Sequence, residues 1–393
     1  MTSRPVAHRT GWPPRAAAAE HGVVYRREDE FAAWPFYCGL WRTGDGSVVA
    51  GFKRVPTDYD DVDHYSLVNK PGQMVVIRSA DGGRTWDDSS VVVVHDMAIT
   101  SEEELPAGRS DDWSDLPPLD FTDPDTLVMG GGIPKLMAVE GTRAWVRAST
   151  DGGRTWRPHR LLPNWNLPGL SLPGTSMYSV RADGVMLFGA HAWAPGAQNP
   201  QPVVYACPDG RDFLYLGSIV PEAPASPFWP WGRFASARNI YPRVIVLPDG
   251  RALASLRTER DPRGDFWTDV HESLDGGRTW RWLSRVNDWG APGDLVPMAD
   301  GRVVCVYGYR LGERPGIRYR VSEDGGASWG QEYVLRDDGA SWDLGYPRAI
   351  EVEPGVLLTH YWINLAEERA DGRRDGVRHI GWSRFRPGEE AAA

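Results

Sequence analysis

Two Tyr-Pro-Arg segments, Tyr241-Pro242-Arg243 and Tyr346-Pro347-Arg348, each set a phenol beside a guanidinium. Guanidinium is planar and always charged, and its fork of donors matches a carboxylate. Only Lys53, Lys70 and Lys135 among 43 Lys and Arg residues are lysine, so this acidic chain is rich in such groups. Coding bias explains that excess equally well. Arg257 and Arg314 add two guanidinia close to turn motifs. The run from Arg54 to Tyr65 holds Asp58, Asp60, Asp61 and Asp63. Clustered carboxylates raise one another's pKa, which suits a proton donor. Asp61 or Asp63 is favoured, against a solvated acidic loop or a cation site. His191, just before Trp193, and His360 of His360-Tyr361-Trp362 are candidate polar contacts, with burial as the bland alternative. Trp193, Trp229, Trp231, Trp267 and Trp362 fall near expected loops, where indoles either stack on sugar rings or pack into the core. No HExxH, EF-hand or P-loop pattern is present, so no metal or cofactor is expected.

What must position these groups follows from composition and repeats. Over 393 residues the net charge is −10, which argues against a nucleic-acid partner. Gly (44) and Pro (32) are abundant, but so is Trp (19), and a chain this aromatic can bury a large core. Cys38, Cys207 and Cys305 are too far apart for a disulfide framework or a zinc ribbon. Neither a signal peptide nor an apolar stretch of membrane-spanning length is visible, so the expectation is a soluble cytoplasmic protein without membrane contact.

One motif recurs: Ser79-Ala-Asp81-Gly-Gly83-Arg-Thr85-Trp86, then copies at Ser149–Trp156, Ser273–Trp280 and Ser322–Trp329, with a degenerate Cys207-Pro-Asp209-Gly-Arg-Asp-Phe213. Asp bonds backbone N–H groups two residues on, Gly accepts φ > 0, and Trp covers the turn. Successive Asp residues are 70, 58, 66 and 49 apart. A second turn recurs within each period, at Gly46, Gly184, Gly250, Gly301 and Gly355. Such periods of short strands are those of propeller blades. The expectation is an all-β, six-bladed β-propeller of four-stranded antiparallel blades. It spans residues 23–386, between an extension (1–22) and a tail (387–393). Val23–Arg26 closes the last blade, and the irregular blade near Phe121–Arg147 hides its first turn in Gly130–Gly132.

The boxes on six periods resemble the Asp-box propellers of the sialidase superfamily, over about residues 34 to 386. The resemblance implies three arginines on a sugar carboxylate, a Tyr nucleophile helped by a Glu, and an Asp acid/base. Arg257, seven residues after Gly250, resembles the second arginine. Arg314, eight before Ser322, resembles the third, and Tyr346, nine before Gly355, the nucleophile. The first arginine is missing at Phe36-Tyr37-Cys38-Gly39, with Arg42 the nearest, and Tyr241 stands where the Glu is expected; Glu259 or Asp294 could take the Glu's part. The resemblance thus implies an exo-acting sialidase-like glycoside hydrolase on an acidic carbohydrate. Tyr346, Asp61 and Asp63 are its catalytic candidates. Arg243, Arg257, Arg314, Arg348, Tyr241, His191 and His360 are its substrate contacts, gathered at the end opposite the boxes. Surrounding arginines favour ionisation of the Tyr346 phenol. Two alternatives stand: a uronate-directed polysaccharide lyase using His191 or His360, and a non-catalytic carbohydrate-binding propeller.

Overall fold

The computed structural model describes residues 12–59, 70–105, 113–134, 140–162, 169–171, 178–193, 201–220, 238–261, 265–367 and 376–390. They form six antiparallel sheets, the blades of a six-bladed β-propeller. Blade 6 takes its outer strand from the start of the chain, β1 (Glu20–Tyr25). Blade 1 holds β2 (Glu30–Ala33), a four-residue helical turn α1 (Pro35–Cys38), β3 (Leu40–Arg42), β4 (Val48–Pro56), β5 (Gln73–Ser79) and β6 (Asp87–Asp96). Blade 2 shows β7 (Leu127–Ile133), β8 (Arg143–Ser149) and β9 (Arg160–Leu161). Blade 3 has β10 (Gly169–Ser171), β11 (Ser179–Val180), β12 (Met186–Trp193), β13 (Gln201–Cys207) and β14 (Leu214–Ser218).

Blades 4 and 5 are the most regular. They comprise β15 (Arg238–Val246), β16 (Ala252–Asp261), β17 (Asp265–Ser273) and β18 (Arg281–Arg285), then β19 (Gly293–Pro297), β20 (Val303–Tyr309), β21 (Gly316–Ser322) and β22 (Tyr333–Arg336). Blade 6 completes the ring with β23 (Gly345–Glu353), β24 (Val356–Ile363) and β25 (His379–Phe385). β25 pairs with β1 from Glu20↔Arg384 to Tyr25↔Ile380. The closing strand therefore begins three residues before the expected Val23. Ring closure removes two sheet edges that would otherwise face solvent.

The recurrent turns do what their residues dictate. Gly46, Gly184, Gly250, Gly301 and Gly355 all have φ between 73° and 91°, each joining an inner strand to a second strand. In the first box the Asp81 carboxylate accepts from the Arg84 and Thr85 N–H groups at 3.0 and 2.9 Å and from the Thr85 hydroxyl at 2.6 Å. Trp156 and Trp280 fold back to donate to the Gly153 and Gly277 carbonyls. The boxes also hold neighbouring blades together, as where Arg384 of blade 6 donates to the Gly82 carbonyl and Arg154 pairs with Asp45.

One expectation fails. Gly130–Gly132 lie within β7 and form no turn. A Cβ on Gly131 would stand 2.8 Å from the Trp145 indole, so the glycines make room for a buried ring on the neighbouring strand.

Buried polar groups tie the wedge-shaped blades together. Asp294 of β19 is fully buried; its Oδ1 accepts from Arg243 Nε at 2.7 Å and Arg348 Nη1 at 2.6 Å, and its Oδ2 from the Ala349 N–H at 2.6 Å. Three blades thus meet on one carboxylate. His95 Nδ1 and His159 Nε2 lie 2.9 Å apart between blades 1 and 2, both rings against Trp145. Burial, with Arg147 nearby, pushes both imidazoles down to about 3.

Two outcomes follow. Asp294→Ala leaves two guanidinia uncompensated in the core and should cost about 3–5 kcal/mol in urea unfolding; a loss below about 1 kcal/mol would show that the clamp is dispensable. The second concerns pH. A histidine with a folded pKa below its unfolded value stabilises fully above about 6.5, and that stability is lost as pH falls toward the folded pKa. Unfolding free energy should therefore drop by up to about 1.4 kcal/mol per pH unit for each such histidine below pH 6.5. A flat profile between pH 6.5 and 4.5 would contradict the burial of these rings.

Candidate active site

Both Tyr-Pro-Arg segments open inner strands, at the start of β15 and β23, and a third aromatic-proline step, Trp34-Pro35, enters α1. Tyr241, Tyr346 and Trp34 have φ of 60°, 51° and 52°. Left-handed backbone at a bulky residue costs about 1–3 kcal/mol each and persists only where the surroundings enforce it. The ladder slips at both tyrosines, between Ile240 and Arg243 and between Gly345 and Arg348. Proline contributes by removing an N–H at the slip and by constraining the residue before it.

The result is a triangle of phenols. Tyr37, Tyr241 and Tyr346 have ring centroids 5.5, 5.7 and 5.6 Å apart, and Phe36 packs edge-on against all three. The Tyr346 hydroxyl donates to the Tyr241 hydroxyl at 3.4 Å. Burial, reinforced by the neighbouring phenols, pushes Tyr37 and Tyr241 well above the usual phenol range.

Two guanidinia join this cluster. Arg257, on the second strand of blade 4, lies 6.0 Å from the Tyr241 ring centre and 4.4 Å from that of Phe266. It is ion-paired to Glu259 at 2.6 Å; burial opposes its charge, but the Glu259 carboxylate outweighs that and holds its pKa up. Arg310, just beyond β20, is 7% exposed and sits 4.9 Å from the centre of the Tyr346 ring. Its Nε donates to the Leu344 carbonyl, while its buried Nη2 has no hydrogen-bond partner and no carboxylate pairs with it among the described residues. Burial therefore lowers its pKa. A buried guanidinium with an unmet donor is a ready site for an anion.

Arg310, and not Arg314, is the guanidinium beside Tyr346. The Arg314 side chain is half exposed, paired with Asp337 at 2.8 Å and stacked on Trp12, so it stands apart from the phenols. Counting back from Ser322 led to Arg314; Arg310 stands nine residues after Gly301, two more than separate Arg257 from Gly250. Arg243 and Arg348 also depart from expectation: they hold Asp294, so their geometry is structural. Burial and the neighbouring Arg348, partly offset by Asp294, lower Arg243 to about 10.

Both histidines bind backbone. His191 Nε2 accepts the Tyr241 N–H at 2.7 Å, which fixes the left-handed turn, and burial with Arg238 nearby lowers its pKa to about 3. His360 Nε2 meets the Gly51 carbonyl at 3.1 Å across two blades. Neither Glu259 nor Asp294 bonds to Tyr346, since Arg257 and Arg238 hold the first and the two arginines the second. Lys53 occupies in blade 1 the rung of Arg257: it is the partner of Ala33, just before Trp34, as Arg257 is of Ile240, just before Tyr241. Its amine donates to the Lys70 carbonyl, and burial lowers it to about 8.

Asp61 and Asp63, with Trp229 and Trp231, lie outside the described residues. Trp362 is core, and Trp267 is buried between Arg260 and Arg285. Trp193 ends β12, half-buried. Among the described residues no group of three or more His, Cys, Asp and Glu side chains could hold a metal ion.

The chain matches the BNR repeat-like domain family over residues 118–358. A sialidase of Micromonospora viridifaciens is 28% identical over 260 residues, covering 62% of this chain but only 39% of that protein. Of solved structures, a Dyadobacter fermentans protein of unknown function superposes with a TM-score of 0.69 at 23% identity, over 93% of this chain and 97% of that one. The Hadza microbial sialidase Hz136 gives 0.57 at 18% identity, over 91% and 66%. At these identities the structural likeness is one of fold. With its Asp boxes, six blades and matched repeat region, the chain belongs to the BNR repeat-like domain family, within the sialidase-like β-propeller superfamily.

Proposed function

We propose that the protein is a sialidase-type glycoside hydrolase that removes a terminal, carboxylate-bearing sugar. The observation that carries this reading is Arg310, a buried guanidinium with an unmet donor stacked on Tyr346 and flanked across the phenols by Arg257. In this reading Arg310 holds the sugar carboxylate, and Tyr346 Oη bonds to the anomeric carbon as the glycosidic C–O bond breaks. A neutral phenol suits that role because a carboxylate nucleophile would be repelled by the bound anion. The Tyr346 proton would leave to water as the new bond forms, because Tyr241 is itself a protonated phenol and only positions the hydroxyl by accepting from it. Asp61 or Asp63 would protonate the leaving oxygen, and water would then release the sugar from tyrosine.

The lyase reading loses support because the imidazoles meant for it are bound to backbone. A non-catalytic binding role is favoured by one observation: Tyr241, and no carboxylate, stands beside Tyr346. The two are separated by kinetics and binding together. Tyr346→Phe should reduce turnover of a confirmed acidic glycoside by about 10³-fold or more while affinity changes little, because ring and guanidinia remain. Arg310→Met should weaken binding of the acidic sugar by about 10-fold or more, the contribution of one charge-assisted contact. Wild-type turnover in Tyr346→Phe would refute the hydrolase mechanism, and ligand binding with no turnover in the wild type would establish the binding role.

A further inference from the structure

Trp342 is 41% exposed, yet its loop is firmly held. Ala340 donates to the Asn364 carbonyl at 2.9 Å, Asn364 Nδ2 donates to the Asp343 carbonyl at 2.8 Å, and the Asp343 carboxylate accepts from buried Arg378 Nε at 3.1 Å. The loop thus presents a large apolar plane to solvent in a fixed place, just before the inner strand of blade 6. The indole centre lies 5.8 Å from the Arg310 guanidinium, which also lies 4.9 Å from the centre of the Tyr346 ring. Exposure falls from Trp342 through Arg310 to Tyr346, so the indole is the solvent-side neighbour of the guanidinium. A second indole, Trp289, is 42% exposed just before the inner strand of blade 5. Large exposed aromatics at a site mouth mark a binding surface, because a rigid ring offers contact area at small entropic cost.

We infer that Trp342 is the platform for a second sugar ring, next to the acidic sugar held by Arg310, and that the natural ligand is an oligosaccharide. The inference rests on the anionic-sugar reading. A pyranose presents a flat C–H face to an indole while its hydroxyls stay in water. The plane of Trp342 lies on the solvent side of Arg310, where the remainder of a glycan would leave the site. Trp342 then selects for chain length, and Arg310 for charge.

The test is a ratio of affinities, measured by calorimetry in the Tyr346→Phe background so that ligand is not consumed. The probe pairs are N-acetylneuraminic acid with 3′-sialyllactose, and galacturonic acid with digalacturonic acid. For the pair that binds, the oligosaccharide should be held about 10-fold tighter, and Trp342→Ala should bring that ratio close to one, while Trp342→Phe keeps most of it. Arg310→Met should weaken both members and leave the ratio standing. A ratio already near one, or one that Trp342→Ala leaves unchanged, overturns the inference. If no acidic probe binds, the anionic reading fails by itself; quenching of fluorescence by neutral maltotriose that Trp342→Ala abolishes would keep the platform, and its absence would overturn that too.

Discussion

The carboxylate of Asp294 is the interaction on which the ring depends. It sits on the inner strand of blade 5 and draws in Arg243 from blade 4 and Arg348 from blade 6. A propeller's inner strands converge on an axis where there is little room for a packed core, so short polar contacts must set their spacing. One carboxylate between two guanidinia leaves a positive excess. The energetic demand is eased because two of the three groups bond further, Arg243 to the Val244 carbonyl and Asp294 to the Ala349 N–H. Directly above this clamp the two tyrosines take their left-handed backbones. The arginines of Tyr-Pro-Arg thus anchor the segments whose tyrosines make the site.

The same arrangement explains which parts of the molecule could be read from residues alone. Asp boxes and Asp-Gly turns are local: Asp81 bonds its own neighbours within four residues, and Gly250 needs only its own φ. Blade number and strand order followed from them. Blade 2 was misread because Gly130–Gly132 serve a distant indole, a packing relation invisible to turn chemistry. Arginine roles were harder, since an isolated guanidinium carries no mark of its partner. Arg243, Arg314 and Arg348 have carboxylates 51, 23 and 54 positions away. Arg257 was legible from its distance to a turn, whereas the same count from Gly301 reaches Gly308 and misses Arg310 by two residues.

The site also shows what replaces missing chemistry. Where the superfamily pattern calls for a blade 1 arginine and a glutamate, the chain places Tyr37 and Tyr241. The outcome is a pocket with fewer formal charges and more aromatic surface. Desolvation there keeps the Tyr37 and Tyr241 phenols protonated and strengthens the field of each remaining guanidinium. His191 belongs to this design as a positioning residue, since its acceptance of the Tyr241 N–H fixes a backbone that propensity opposes.

Closure by β1 has a consequence for biosynthesis. The first described strand pairs with the last described one, so Glu20 waits for Arg384. At ribosomal rates of about 5–20 residues per second, the amino-terminal strand remains unpaired for about 20–70 s. By the end of that interval five finished blades stand as an open arc with bare flanks. Until β25 is made, the growing chain therefore carries strand edges that another chain could pair with.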